Sequence, residues 1–492
     1  MQEETKEIKR KAFTGAMWKF AERISAQLVS IVVAIYLARL LLPDDYGVVA
    51  MVSIFFVFCN VIIDSGLNTA LIQKNEVDAY DYATVLTASM VLAVFLYILL
   101  FYFSPLIASS FNKPILCPLF RVMGITFFIN GYKSVVCSYV SRNLLFKKFF
   151  YATFSGTVFS GLIGIGAALA GWGPWALALQ QIFNALIGTI VLVIVTRYKT
   201  VLFFSWHKFK PLFSYGWKIF GSSLLSATYG QIRPLIVGVK YSSSDLAYYT
   251  HGQQYPTIID SSISSTLSAV LFPVISKFQN DKSAVLNITR RYMSLSSYII
   301  MPLLIGFFAT ADTFVSLVLT DKWMPAVPFA RVFCICYLFN IITEGNIQAI
   351  KAIGRSDIFL KLEFTKKSFY LLIILFFVLF TDSPLLLAIS EILCTLVATI
   401  VNIFPNKRLI NYGYRAQLMD LLPNLLCAIV MGIVVYYVGK INIDVGLLFP
   451  IQIIIGIIVY LMMCFFTGNN NYTYFKNLVV QTFIKRNNVK NY

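Results

Sequence analysis

The chain has 492 residues, of which 58% are hydrophobic, 16% aromatic and 13% charged, and its formal net charge is +18. A soluble domain carries about 25% charged residues, so this composition, with a mean hydropathy of +0.76, excludes a soluble globular enzyme. The forty lysines and arginines are spread through short loops instead of being gathered on one module, which argues against nucleic acid as a partner.

A bilayer core is crossed by about 20 apolar residues in a helix. Runs of that kind, separated by short polar loops, predict spans at 14–41, 46–71, 82–110, 116–141, 149–170, 174–196, 212–238, 246–275, 292–319, 327–350, 360–380, 385–405, 418–439 and 445–467. The fold class is therefore all-α: a polytopic membrane protein with about fourteen transmembrane helices. The charged stretch from Glu3 to Lys11 leads into a span carrying Lys19, Glu22 and Arg23. A cleavable signal peptide has a uniformly apolar core, so the N-terminus is expected to be retained. The eight cysteines lie mostly inside apolar runs, and Cys334 and Cys336 face different sides of one helix. They read as small core residues, with neither a disulfide frame nor a metal site.

Orientation follows from the bases, because short cytoplasmic loops hold the excess of Lys and Arg. With the N-terminus inside, twenty-eight bases fall in cytoplasmic segments and seven in outer ones, and the other five lie within spans. A weak internal repeat is also present. Trp18-Lys19 begins a run that ends at the turn Asp44-Asp45-Tyr46-Gly47; Trp217-Lys218 begins a similar run that ends near Asp245 and Tyr248. Two pseudo-symmetric six-helix lobes are expected, residues 1–200 (helices 1–6) and 201–411 (helices 7–12). Two further helices occupy 412–467, and a loosely ordered cytoplasmic tail, 468–492, contains Asn469, Asn470 and Asn471. Paired repeats of this kind are a transporter signature.

A charge at the centre of a membrane helix costs ~2.5 to 3.5 kcal/mol, so the five intramembrane bases need a cavity or a partner. In the first span Lys19, Arg23, Gln27 and Ser30 form one polar stripe at helical spacing, with Glu22 one turn from Lys19. In the seventh, Lys218, Ser222, Ser226, Tyr229 and Arg233 repeat it. Lys133 adds a fifth base beside Asn130, Ser134 and Cys137. Asn60, Asp64 and Asn68 line the second span, Asp260, Ser261, Ser264, Ser265 and Ser268 the eighth, and Asn340, Glu344 and Gln348 the tenth. Lys19 and Lys218 lie about 7 to 9 Å from their helix starts at 1.5 Å per residue, so they can either line a cavity or snorkel to the aqueous surface. Arg233 precedes Pro234 near a helix end, where a bracing role competes with a lining one. Asp64 can equally cap or break its helix at Ser65-Gly66.

Motifs for bond-making chemistry were sought. The sequence has no GxxxxGK[ST] phosphate loop, and His207 and His251 have neither an HExxH context nor cysteine partners at zinc spacing. Asp44-Asp45, between Pro43 and Gly47, reads as a loop turn. No catalytic residues, metal or cofactor are expected.

The stretch from Tyr36 to Gly47, with Arg39, Pro43, Asp44 and Asp45, and the stretch from Asp64 to Gln73, with Gly66, Leu67 and Ala70, closely resemble the polysaccharide transporter family of Wzx-type lipid-linked oligosaccharide flippases. Ser141-Arg142-Asn143 with Phe146 and Lys147, Gly173-Pro174-Trp175-Ala176, Met301-Pro302 with Gly306, and Trp323 with Pro325-Ala326 extend the resemblance over nearly the whole chain, most weakly after residue 410. That family belongs to the wider multidrug, oligosaccharidyl-lipid and polysaccharide exporter superfamily. The resemblance implies two lobes around a cavity that alternates between inward-open and outward-open forms. It also implies a bacterial inner-membrane location and transport of undecaprenyl-pyrophosphate-linked oligosaccharide, the repeat unit of an O-antigen, capsule or exopolysaccharide.

On that reading Lys19, Arg23, Lys133, Lys218 and Arg233 contact pyrophosphate or acidic sugar, since guanidinium matches phosphate oxygens bidentately. Asp64 or Asp260 carries a coupling proton or cation. Membrane lipids are partners, as are a glycan polymerase and a chain-length regulator. The alternative is a cation-coupled multidrug or metabolite exporter of the same superfamily, which favours an acidic, aromatic cavity. A membrane polymerase or ligase of glycans needs substantial outer loops, and those here are short.

The partition of bases fixes a topology that reporter fusions can check. Fusions after Lys74, Lys148, Lys210, Lys282, Lys367 and Arg415, and at the C-terminus, should all report cytoplasm. An external C-terminus would break the fourteen-span count.

Overall fold

The computed structural model describes residues 2–199, 201–278, 281–474 and 476. The helices are Gln2–Leu40 (α1), Pro43–Asp64 (α2), Leu67–Gln73 (α3), Ala79–Ser110 (α4), Leu116–Met123 (α5), Thr126–Arg142 (α6), Phe146–Leu169 (α7) and Pro174–Thr196 (α8), followed by Trp206–Lys240 (α9), Ser243–Lys277 (α10), Lys282–Phe314 (α11), Val327–Ala352 (α12), Ser356–Phe380 (α13), Pro384–Leu409 (α14), Tyr414–Val438 (α15) and Val445–Phe466 (α16). Among the described residues there is no strand. The chain is an all-α membrane protein, and each expected span coincides with a helix or with a broken pair.

The two breaks have local causes. Ser65 and Gly66 sit in the left-handed region (φ 47° and 67°) and end α2 before α3 begins, so the Asp64-Ser65-Gly66 signal breaks the helix. The second break, at Gly124, separates α5 from α6. Helices also begin earlier than hydropathy alone places them, as with α1, α9 and α11, because Glu, Lys and Arg carry a helix past the apolar run. At α11 the carboxylate of Asp281 accepts from the backbone N–H groups of Ser283 (2.9 Å) and Ala284 (3.1 Å), satisfying two of the free donors of a helix start.

Ten helices are long and apolar enough to cross a bilayer. Of the remaining expected spans, one is the broken α5–α6 pair, and the other three, α9, α10 and α13, are rich in polar residues. On α9 and α10 the polar stripes account for that deficit.

The described chain divides into two compact units, Met1–Ala247 and Tyr248–Tyr492. The sequence places its boundary at the basic loop near 200; packing places it later, because α9 lies against α2 and α3. In the first unit α7 runs along both α1 and α8, and α2 packs on α4, α6, α8 and α9. In the second, α11 packs on α12 and α15, α12 on α14, and α15 on α16. Its core, with Met293, Ile300, Leu304 and Ala428 fully enclosed, is pinned by buried amides. Asn346 Nδ2 donates to Gln417 Oε1 (2.8 Å), Gln417 Nε2 returns to Asn346 Oδ1 (2.9 Å), and Asn406 Nδ2 donates to the same oxygen (2.6 Å). Such side chains join helices where apolar contact alone gives no preference over lipid.

The start of the expected tail is tied down. Asn469 donates to Asn424 Oδ1 (2.8 Å) and Asn471 to Ser294 Oγ (2.9 Å). These asparagines therefore dock on α11 and α15 and are not loose; residues 477–492 lie outside the described residues.

The internal repeat has a structural counterpart. The α1–α2 and α9–α10 turns each leave two residues between helices, Leu41-Leu42 and Tyr241-Ser242. In one, the Asp45 carboxylate accepts from Leu42 N–H (2.9 Å); in the other, Asp245 accepts from Ser242 N–H (3.1 Å).

Gly66 combines two constraints: its φ is left-handed, and a Cβ added there would lie 2.2 Å from the backbone oxygen of Gly216 in α9. Gly66→Ala should therefore destabilise the protein by at least ~1 to 2 kcal/mol, the cost of a left-handed L-residue. Gly166→Ala in α7, with nothing within 4 Å of its Cβ position, should be neutral or stabilise by about 0.5 to 1 kcal/mol. Thermal unfolding of the two purified variants in detergent decides it, and equal midpoints would contradict the close packing at Gly66.

Candidate functional site

In the first unit, the α1 stripe is anchored by α7. Lys19 Nζ pairs with Glu22 Oε2 at 2.6 Å, and Glu22 Oε1 accepts from Thr153 Oγ1 on α7 at 2.8 Å. Lys19 Nζ also stands 4.7 Å from the ring centre of Phe149. Glu22 is buried while Lys19 is half exposed, so the carboxylate is the fixed member of the pair and the ammonium faces outward from it. Arg23, on the next position, is exposed.

Lys133, half-buried on α6, reaches toward α8, where its Nζ lies 3.6 Å from the Cβ position of Gly188. Cys137 lies one turn further along α6 and is half-buried. The first unit thus carries intramembrane charges on α1, α2 and α6. The α2 stripe is zipped to α6: Asn130 Nδ2 donates to Asn60 Oδ1 (3.1 Å), Ser138 Oγ to Asn68 Oδ1 (3.2 Å), and Asn68 to Asp64. Asp64 itself is exposed.

On α9 the expected stripe divides. Lys218, Ser222 and Ser226 are exposed, whereas Arg233 is 2% exposed and enclosed within the packing. Of the five bases, Lys19, Arg23 and Lys218 are exposed, Lys133 is half-buried, and Arg233 is withdrawn.

In the second unit the stripes of α10 and α12 meet. Asp260, 4% exposed, accepts from Ser264 Oγ (2.9 Å) through one oxygen and from Asn340 Nδ2 (2.7 Å) through the other. Glu344, one turn beyond Asn340, acts on it electrostatically. Thr257 and Tyr337 share a hydroxyl contact at 2.7 Å, and Ser268 and Tyr292 one at 3.3 Å. The result is a buried carboxylate held by neutral donors and flanked by hydroxyls. Among the described residues no group of three or more His, Cys, Asp or Glu side chains could hold a metal, and all eight cysteines are free.

Two features escaped the sequence. Asp44, read as part of a loop turn, is a junction: both its oxygens accept from Lys113 Nζ at 2.9 Å, and it accepts from Ser243 Oγ. Beside it, a Cβ on Gly47 would lie 1.8 Å from the backbone oxygen of Ser243. The two repeat-related turns are therefore in backbone contact, and the equal placement of Asp45 and Asp245 was the available signal. At the other end of α9, Lys208 bonds Asp78 and lies 3.7 Å from Asp81, which also pairs with Lys74 at 2.7 Å. The Lys208 hydrogen bond holds the Asp78 carboxyl below the usual carboxylate range. Arg142 caps the end of α3, donating to the carbonyls of Leu71 (3.0 Å), Ile72 (3.1 Å) and Asn75 (2.6 Å).

The chain is similar over nearly its full length to other membrane proteins. An uncharacterized membrane protein in the cps region of Klebsiella pneumoniae is 23% identical over 97% of this chain and 99% of its own. The lipopolysaccharide biosynthesis protein WzxC of Escherichia coli (strain K12) is 21% identical over 87% of this chain and 89% of its own. Among solved structures, the lipid II flippase MurJ in an inward closed conformation superposes with a TM-score of 0.73 at 14% identity, covering 95% of this chain and 100% of that one. This likeness gives the fold: a polytopic helical membrane architecture. The family model for polysaccharide biosynthesis proteins matches residues 36–328, more than half of the chain, and the chain belongs to that family.

Proposed function

We propose that the protein is a flippase that moves undecaprenyl-pyrophosphate-linked oligosaccharide, the repeat unit of an O-antigen, capsule or exopolysaccharide, across the bacterial inner membrane by alternating access, with both termini cytoplasmic. The observation that carries the reading is that Lys19, Arg23, Lys133 and Lys218, on membrane helices of the first unit, remain unburied in so apolar a chain. A pyrophosphate headgroup answers that charge, and the sugar hydroxyls match the asparagines and serines of α2 and α6. The lipid tail stays in the bilayer, so the whole molecule never has to be extracted. The family and the named relatives make a polysaccharide-biosynthesis transporter the setting for this chemistry; a glycan polymerase and a chain-length regulator are the partners that would consume its product.

Lys19, Arg23, Lys133 and Lys218 are assigned to the anion. Arg233, being buried, is assigned to bracing α9. Asp260 is the coupling candidate, because it is a buried carboxylate held by the neutral donors Ser264 and Asn340. Asp64, exposed beside Asn68, is the other. The same buried carboxylate favours the alternative reading, a cation-coupled exporter of small molecules, and a deletion strain separates the two. Loss of a surface polysaccharide with precursor left on the inner leaflet, and unchanged sensitivity to cationic drugs, is the result expected of the flippase. Normal surface glycan in a strain without a second flippase would overturn it.

The site residues are tested by surface-glycan output per unit of membrane-inserted protein. A hydrogen bond to a charged group contributes ~1.5 to 3 kcal/mol, so Arg23→Ala should lower output roughly ten- to hundredfold at normal protein level. Arg23→Lys should retain part of it, since a point charge keeps the attraction and loses the planar fork. Arg233→Ala should instead lower the amount of inserted protein, and Lys322→Ala should change neither. Full output per molecule in Arg23→Ala would remove it from the site.

A further inference from the structure

A cationic cavity lies at the start of α7. It has a volume of about 650 Å³ and is bounded by Thr14 and Trp18 of α1, Asn143 before α7, Lys147 and Tyr151 of α7, and Val195 of α8. Lys148 also borders it. Lys147 Nζ stands 5.1 Å from the Trp18 ring centre and 5.9 Å from that of Tyr151, and Trp18 meets Phe150 edge-on at 5.5 Å.

Three properties of this cavity point to one class of ligand. First, its bases have no carboxylate partner among the described residues. Lys74, Lys208, Arg290 and Arg355 each pair with a carboxylate, but among the described residues no carboxylate pairs with Lys147 or Lys148. Both occupy the first turn of α7, where the helix dipole already carries positive potential, so an anion bound there is stabilised by both. Second, tryptophan and tyrosine rings border the charge, the combination found where a membrane meets water. Third, Tyr151, Phe154, Phe159 and Leu162 leave an exposed apolar track along α7 leading away from the lysines. A free anion has no use for such a track, whereas a lipid has acyl chains to lay along it.

We propose that this cavity is a headgroup site for an anionic phospholipid, its phosphate at Lys147 and Lys148 and its chains along α7. By the partition of bases the site faces the cytoplasmic leaflet, which carries the negative surface potential that attracts such segments. The bound lipid would bridge α1 and α7 one turn from the Lys19–Glu22–Thr153 anchor. The inference does not depend on the flippase reading, and its test measures lipid binding without transport.

The test is native mass spectrometry of the full chain in detergent, titrated with phosphatidylglycerol or with phosphatidylcholine of the same chains. The wild type should retain phosphatidylglycerol preferentially. Each lysine near an anionic surface contributes about 1 kcal/mol, so K147A/K148A should lose roughly thirtyfold in that preference. K147R/K148R, which keeps the charge, should hold it, and Lys322→Ala should leave it unchanged. The arginine pair and the wild-type titration keep the test decisive if the alanine pair fails to fold. Equal retention of the two lipids by the wild type, an unaltered preference in K147A/K148A, loss of preference in K147R/K148R, or displacement of the lipid by inorganic phosphate at equal concentration would each overturn the proposal.

Discussion

Hydrocarbon offers no hydrogen bonds and little screening, and almost every polar feature of this chain follows from that. The backbone answers by becoming helix throughout, since a helix satisfies its own peptide groups. The side chains answer by finding one another. Glu22 is held between Lys19 and Thr153, Asn60 by Asn130, Asn68 by Ser138, and Asp260 between Ser264 and Asn340. Asn346, Asn406 and Gln417 close a buried network among three helices. An apolar replacement at any of these positions keeps the helix and removes the reason for its orientation.

What was legible in the sequence was what depends on local chemistry. Apolar runs located the helices, and Asp64-Ser65-Gly66 announced the break after α2, because left-handed backbone favours particular residues at particular places. The stripes of α2, α10 and α12 were read from helical spacing, and Asn60, Asn68, Asp260 and Asn340 among them bond polar side chains of other helices or of their own. Placement across long distances was not legible. Arg233 shares the spacing of Lys218 and Ser222 yet is enclosed, because whether a stripe stays open along its length depends on how the neighbouring helix crosses it. Asp44 looked like turn chemistry, since nothing in its own neighbourhood reveals Lys113 or Ser243. Asn469 and Asn471 looked like a loose tail for the same reason: their partners, Asn424 and Ser294, lie far away in the chain.

The repeat adds a different kind of order. Turns two residues long, capped by Asp45 and Asp245 in the same way, recur at a separation of 200 positions, and the first meets the second at Gly47 and Ser243. Side chains there leave no gap, so the glycine at 47 is a condition of that meeting. At the other end of α9, Gly66 and Gly216 meet in the same backbone-to-backbone manner. Close backbone contacts thus hold α9 near its start, at Gly216, and just after its end, at Ser243.

The pairing of Lys19 with Glu22 bears on how long any anion can stay. If Lys19 takes the anion proposed above, Glu22, fixed in place by Thr153, offsets part of the charge it offers. A site meant for storage would gain from deleting that acid. A carrier must empty as readily as it fills, and every extra kilocalorie of affinity lengthens the dwell time about fivefold. On this view the glutamate is a release element: it keeps the residence time of the ligand short enough for the next one to enter.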